Sequence, residues 1–219
     1  MAGRTTTSYA LLGLLHVRPW TTYELAKQVQ RSLKWFWPRA ERKLYDEPKA
    51  LAADGLATAT ERFTGKRRSR EYAITDEGRA ALRAWLGEPP EPHSWEFEGI
   101  LKLFFCDAGE LDQLNATLDA IEAEALRRIA ALGEMAGEPN RFPERAHISA
   151  LGLPLQLEQE KAVLAWARWA RRQVAQWKST RDPGSWDAES VNRSLAQAAA
   201  QLVPSTEPLP DAEPTFLPG

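Results

Sequence analysis

Cysteine is almost missing from this sequence. Cys106, at the end of the apolar run Leu103-Phe104-Phe105-Cys106, is the single one in 219 residues. One thiol makes no disulfide framework, and nothing beside it supplies the partners of a nucleophile, so it reads as a buried side chain. Long apolar runs are lacking as well. No stretch approaches 18 consecutive apolar residues, and the N-terminus has no apolar segment of signal-peptide length. No membrane span is expected, and the cytoplasm is the default compartment. The three histidines, His16, His93 and His147, are scattered and belong to no metal-ligand spacing. A glycine-rich phosphate loop is absent, and no local motif suggests a Ser/His/Asp arrangement. These absences point away from an enzyme, a metal site and a cofactor.

What is present is an uneven charge. The whole chain is nearly neutral at -2, but residues 1–92 hold 16 Lys and Arg against 11 Asp and Glu, a net of +5. Residues 93–219 hold 12 against 19, a net of -7. Only the first half offers a footprint for a polyanion.

That half reads as short helices followed by a hairpin. The run from Thr7 to Val17 is Ala- and Leu-rich with Thr7 or Ser8 as its cap, and Arg18-Pro19-Trp20 ends it. Thr21 or Thr22 ahead of Glu24 resembles a capping box for a second helix with Leu25 and Val29 on its apolar side. After the aromatic turn Trp35-Phe36-Trp37, Pro38 suits the first turn of a third helix. Its register, Leu44, Pro48 and Leu51, is closed by Gly55, with Arg39, Arg42, Lys43 and Lys49 toward the other side. Pro48 lies well inside that span, so a local kink is expected. The segments ATATERF, TGKRRSR and EYAITDEG then read as strand, basic tip and returning strand. Together they make a winged helix-turn-helix, in which a helix enters a major groove and a basic hairpin holds phosphates. A helix capped at Thr75 and the proline-rich EPPEPHS close the unit.

The second half reads as helical. Phe97 to Phe105 is apolar enough to be buried, Leu111 to Leu132 keeps a helical period, and a third long helix runs from Leu155 to about Trp177. GEPNRFPERAHIS between the last two reads as a loop, and residues after Val203 as a disordered tail rich in proline and acid. The expected fold is mainly α: an N-terminal winged helix-turn-helix with a small β-hairpin wing, then an antiparallel helical dimerisation domain. The boundaries are 1–92, 93–180 and a partly disordered tail, 181–219.

Four fragments carry a family resemblance: YALLGLL at 9–15, TTYELAKQV at 21–29, KLYDEPKALAADGL at 43–56 and REYAITDEGRAALRAWL at 70–86. Their order and spacing resemble the PadR family of transcriptional regulators, in its longer branch with a C-terminal helical domain like that of the virulence activator AphA. The resemblance makes Tyr45 the aromatic of the recognition helix, Leu51 its core leucine, and Gly55-Leu56 the turn into the wing. Arg70 and Tyr72 match the returning strand, and Thr75 and Gly78 the start of the fourth helix. Pro48 and Ala52 depart from the family, which commonly has Leu and Glu there. The family implies homodimers, mostly repressors with some activators, several of them answering to small aromatic compounds.

The residues expected to meet double-stranded operator DNA are Arg39, Arg42, Lys43, Tyr45 and Lys49 on the helix, and Lys66, Arg67, Arg68 and Arg70 on the wing. Leu111, Leu114, Leu118, Ile121, Leu164, Ala167 and Val174 are expected to serve the homodimer. Trp35, Trp37, Trp166 and Trp169 offer flat apolar surface for a small aromatic effector. Two other readings stay open: a regulator without an effector, and a winged-helix scaffold for proteins.

Overall fold

Thr5 stands just ahead of the first helix. It caps the first helix, its backbone N–H donating to Ser8 Oγ at 3.1 Å while its hydroxyl faces the Ser8 N–H at 3.4 Å. The computed structural model describes residues 4–38, 43–64 and 67–202. It divides into two units, 1–94 and 95–219.

In the first unit, α1 (Thr6–Val17) buries Leu11, Leu12, Leu14 and Leu15. Each such side chain stabilises the fold by about 1.5–3 kcal/mol. The two-residue strand β1 (Trp20–Thr21) follows, and Trp20 is pinned by an indole N–H donated to the Leu14 carbonyl at 2.7 Å. Thr21 caps α2 (Thr22–Arg31) in the capping box with Glu24 that the sequence predicts, and Leu25 and Val29 are its buried face. A 3-10 turn, Leu33–Trp35, carries the aromatic cluster.

The third helix differs from expectation. α3 spans Glu47–Ala53 only, and Lys43–Asp46 before it is 3-10 and turn. Pro48 therefore falls in the first turn, where a backbone N–H has no intrahelical acceptor to lose, and it causes no kink. Its ring is fully buried instead.

Gly55, with φ at 74°, turns the chain into β2 (Ala57–Thr64). β2 pairs antiparallel with β3 (Arg67–Ile74), and β1 pairs antiparallel with the other edge of β3, giving the order β1-β3-β2. β1 is not foreseen by the sequence, because two residues carry no alternation. Thr75 then caps α4 (Asp76–Leu86), accepting from the Gly78 N–H at 3.0 Å. Gly78 and Leu82 are the buried residues of α4, whereas Leu86 is exposed.

The second unit holds α5 (Glu98–Phe104), α6 (Leu111–Gly137), α7 (Ala146–Val174) and α8 (Ala188–Leu202). Ion pairs between Arg168 and Glu122 at 2.8 Å and between Arg128 and Glu160 show α6 and α7 running antiparallel. Their common core is Leu114, Leu118, Ala170 and Val174, with Leu103, Cys106, Leu111, Trp166 and Trp177 packed around it.

Four expectations change here. α5 buries no side chain, and Phe104 is 76% exposed among the described residues. Cys106 is half-buried; burial and then the Asp107 charge raise its pKa, which disfavours the reactive thiolate. α7 begins at Ala146 rather than Leu155, so the expected loop is cut short and Pro154 sits inside the helix. Residues 188–202, read as tail, form α8. The expected disordered stretch from 203 onward lies outside the described residues. Among those described, no helix is long and apolar enough to cross a membrane.

Candidate nucleic-acid interface

Leu44, Pro48 and Leu51 are buried at the spacing the sequence shows, and this anchoring turns their neighbours outward. Lys43, Tyr45 and Lys49 are exposed, Tyr45 by 67%. Lys49 Nζ stands 3.5 Å from Asp46 Oδ1, an exposed pair that solvent and salt weaken. The turn before α3 and the start of the helix thus present an aromatic ring and two ammonium groups, a surface able to stack, donate hydrogen bonds and neutralise phosphate. Arg39 and Arg42 lie outside the described residues.

The hairpin brings glutamates as well as arginines to the wing. Arg62 donates to Glu71 through Nε at 3.1 Å and Nη2 at 2.8 Å. Arg68 pairs with Glu61 across the strands. Arg70 is exposed and, among the described residues, takes no ion pair. Cross-strand pairing therefore reduces the free positive charge below what the run KRRSR suggests. Exposed pairs of this kind are worth about 1 kcal/mol or less, so a phosphate can exchange for the carboxylate. Sequence reasoning missed Glu61 and Glu71 as partners; strand alternation with a fixed register would have placed them opposite Arg70 and Thr60 only. Arg67 is the first residue of β3, and Lys66 lies outside the described residues.

The residues expected to dimerise are largely used within the chain. Leu114, Leu118, Ile121, Ala167 and Val174 are buried in the helical unit, while Leu111 and Leu164 are half-buried. Ile148, Leu151 and Leu155 of α7, spaced three and four apart, are instead exposed, Leu151 by 80%. Of the four tryptophans proposed for an effector, Trp35 and Trp37 belong to the first unit and Trp166 and Trp169 to the second. The Trp37 indole donates to Thr7, and Trp166 packs on the helical core. The helical unit also holds an open groove of about 580 Å³ lined by Leu101, Phe105, Cys106, Gln113 and Leu114. Among the described residues, no group of three or more His, Cys, Asp or Glu could hold a metal.

Residues 11–84, the winged unit from α1 into α4, match the transcriptional regulator PadR-like family, and residues 98–175 match the C-terminal region of the virulence activator alpha family. Over its winged unit the chain is similar to the PadR-like family of transcriptional regulators. It is 29% identical over 171 residues to the negative transcriptional regulator PadR of Bacillus subtilis, covering 72% of this chain and 91% of that one. The structure of Bacillus subtilis PadR with operator DNA superposes at a TM-score of 0.65, at 23% identity, over 78% of this chain and 99% of that one. Its structure with p-coumaric acid superposes at 0.57, at 23% identity, over 79% and 99%. The virulence activator AphA of Vibrio cholerae superposes at 0.57, at 23% identity, over 78% and 97%. The fold of these structures, a winged helix-turn-helix followed by long helices, is thus shared along both units.

Proposed function

We propose that this PadR-like regulator binds duplex DNA sequence-specifically as a twofold dimer and acts as a repressor, in the cytoplasm. The observation that carries this reading is the exposed Lys43, Tyr45 and Lys49 surface beside a wing bearing Arg70, on the half of the chain with net positive charge. The turn and α3 address base edges, and Arg39 and Arg42 are proposed as further DNA contacts. Lys66, Arg67, Arg68 and Arg70 hold phosphates or enter the minor groove. The dimer forms through the helical unit. Its support is the exposed stripe Ile148, Leu151 and Leu155, while Leu111, Leu114, Leu118, Ile121, Leu164, Ala167 and Val174 hold the helix pair that presents it. Footprinting on the gene's own upstream DNA tests this. Two protected half-sites about 34–36 Å apart are expected; protection without a repeat, or a monomeric complex, contradicts it.

A small aromatic effector is the second part of the reading. The similarity to a regulator crystallised with p-coumaric acid supports it, as do the tryptophans Trp35, Trp37, Trp166 and Trp169. Such a ligand releases DNA only by favouring a dimer whose recognition surfaces are wrongly spaced. Titration with planar phenolic compounds, following tryptophan fluorescence and operator affinity together, tests the coupling. No response favours a regulator without effector, and absence of specific DNA binding favours a protein-recruiting scaffold.

A further inference from the structure

Two hydroxyls are buried in a helix otherwise built on leucine. Thr7 is 5% exposed and Ser8 is 3% exposed, both in the first turn of α1. Each meets a partner far along the chain. The Trp37 indole N–H donates to Thr7 Oγ1 at 3.0 Å. The Ser8 hydroxyl donates to the Glu47 carboxylate, at the first residue of α3.

Trp37 and Glu47 bracket residues 38–46, the segment that carries Lys43 and Tyr45. Adjacent positions of one helix thus hold both ends of the segment proposed to read DNA, while Leu44 is buried between the two exposed side chains. A buried hydroxyl without a partner is costly, so each bond is favoured by the burial that surrounds it. A hydrogen bond also has a direction, which the leucine contacts of α1 lack, and it fixes where the ends stand rather than only that they pack.

We infer that Thr7 and Ser8 are positioning residues for DNA recognition, setting the placement of Lys43 and Tyr45 without touching DNA themselves. The inference rests on the DNA-binding reading above. It further requires that the wing, which neither hydroxyl touches, keeps its sequence-independent hold on phosphate.

The test compares Thr7→Val, which removes the acceptor at nearly constant shape, and Ser8→Ala with the full-length parent. Affinity is measured for the footprinted duplex and for a random duplex of the same length at one salt concentration, together with thermal melting. Each variant is expected to lose roughly tenfold in specific affinity, the effect of one hydrogen bond of ordinary strength. Random-duplex affinity should stay within about twofold, because phosphate contacts dominate it. Thr7→Ser, which keeps the hydroxyl, should recover the parent's ratio of specific to random affinity. An unchanged ratio in both Thr7→Val and Ser8→Ala, or equal weakening for both duplexes in step with melting, overturns the inference while leaving DNA binding intact. A parent with no preference for any duplex overturns the functional reading and this inference with it.

Discussion

Tyr9 and Trp85 stack with ring centroids 5.0 Å apart and planes within 4° of parallel, joining the first helix of the winged unit to its last. Both rings are half-buried. Replacing Tyr9 with Ala should destabilise the unit by about 2–3 kcal/mol, somewhat less than for a fully buried aromatic. A double-mutant cycle with Trp85→Ala should show a coupling of about 0.5–1.5 kcal/mol. Urea denaturation of the four proteins measures both; additive losses would deny the stack any role of its own.

Gly78 offers a sharper test of packing. A Cβ placed there would run into the backbone carbonyl of Leu56, which cannot rotate away as a side chain could. Gly78→Ala should therefore cost about 1–3 kcal/mol, despite alanine's better helix propensity. Gly13 meets nothing within 4 Å, and Gly13→Ala should be neutral or stabilising by up to about 1 kcal/mol. Thermal melting of the pair should show shifts of different sign or size.

The wing prediction concerns salt. Arg67 and Arg68 replaced together by Ala should weaken specific and random duplex binding alike. The slope of log affinity against log salt should become shallower by roughly one to two units, about 0.9 for each phosphate no longer neutralised. An unchanged slope in a folded double variant would remove these arginines from the interface.

Acid should reveal the capping box of α2. Burial pushes the Glu24 carboxyl up, but the Thr21 N–H, the Arg18 guanidinium and the Thr21 hydroxyl together outweigh it and hold the group below its ordinary value. A carboxylate with a lowered folded pKa stabilises above its unfolded value, near 4.5, and that contribution is lost as pH falls through the folded one. Glu24→Gln should thus be less stable than the parent at pH 7, with the gap closing as pH falls from the unfolded value through the lowered folded one. Denaturation at a series of pH values checks the sign; a gap that widens in acid contradicts it.

Leu151→Glu and Leu155→Glu together should shift the protein toward monomer in sedimentation and weaken binding to a paired operator. The second half-site would no longer be engaged at high effective concentration. Dimers that persist in the double variant would move the interface to another face.

The winged unit is legible in the sequence because its signals are local. Thr21 with Glu24, Gly55 and Thr75 each mark a boundary through the backbone chemistry of one turn. Pro48 misleads because a proline reports a missing N–H, not which helix position it occupies; the start of α3 at Glu47 makes it harmless. In the helical half, period alone does not separate side chains that pack within the chain, such as Leu118, from those left outside, such as Leu151. Both lie on apolar stripes, and only the pairing of α6 with α7 decides between them. The positions of Thr7 and Ser8 are hidden for a similar reason: their partners are 30 and 39 residues away.

If α3 is the reading helix, as proposed, its shortness limits how much sequence one protomer can read. Seven residues rise only about 10 Å, about three base steps at 3.4 Å each. A word of about three or four base pairs recurs far too often to be an address among the roughly 10⁶ or more competing sites of a genome. On the proposed reading, Tyr45 and Lys43, in the turn ahead of the helix, would lengthen the word, and a second protomer would double it. The seven-residue α3 would then leave this protein dependent on a second copy for its vocabulary, and any signal that changed the spacing of the two copies would change which sequence is spelled.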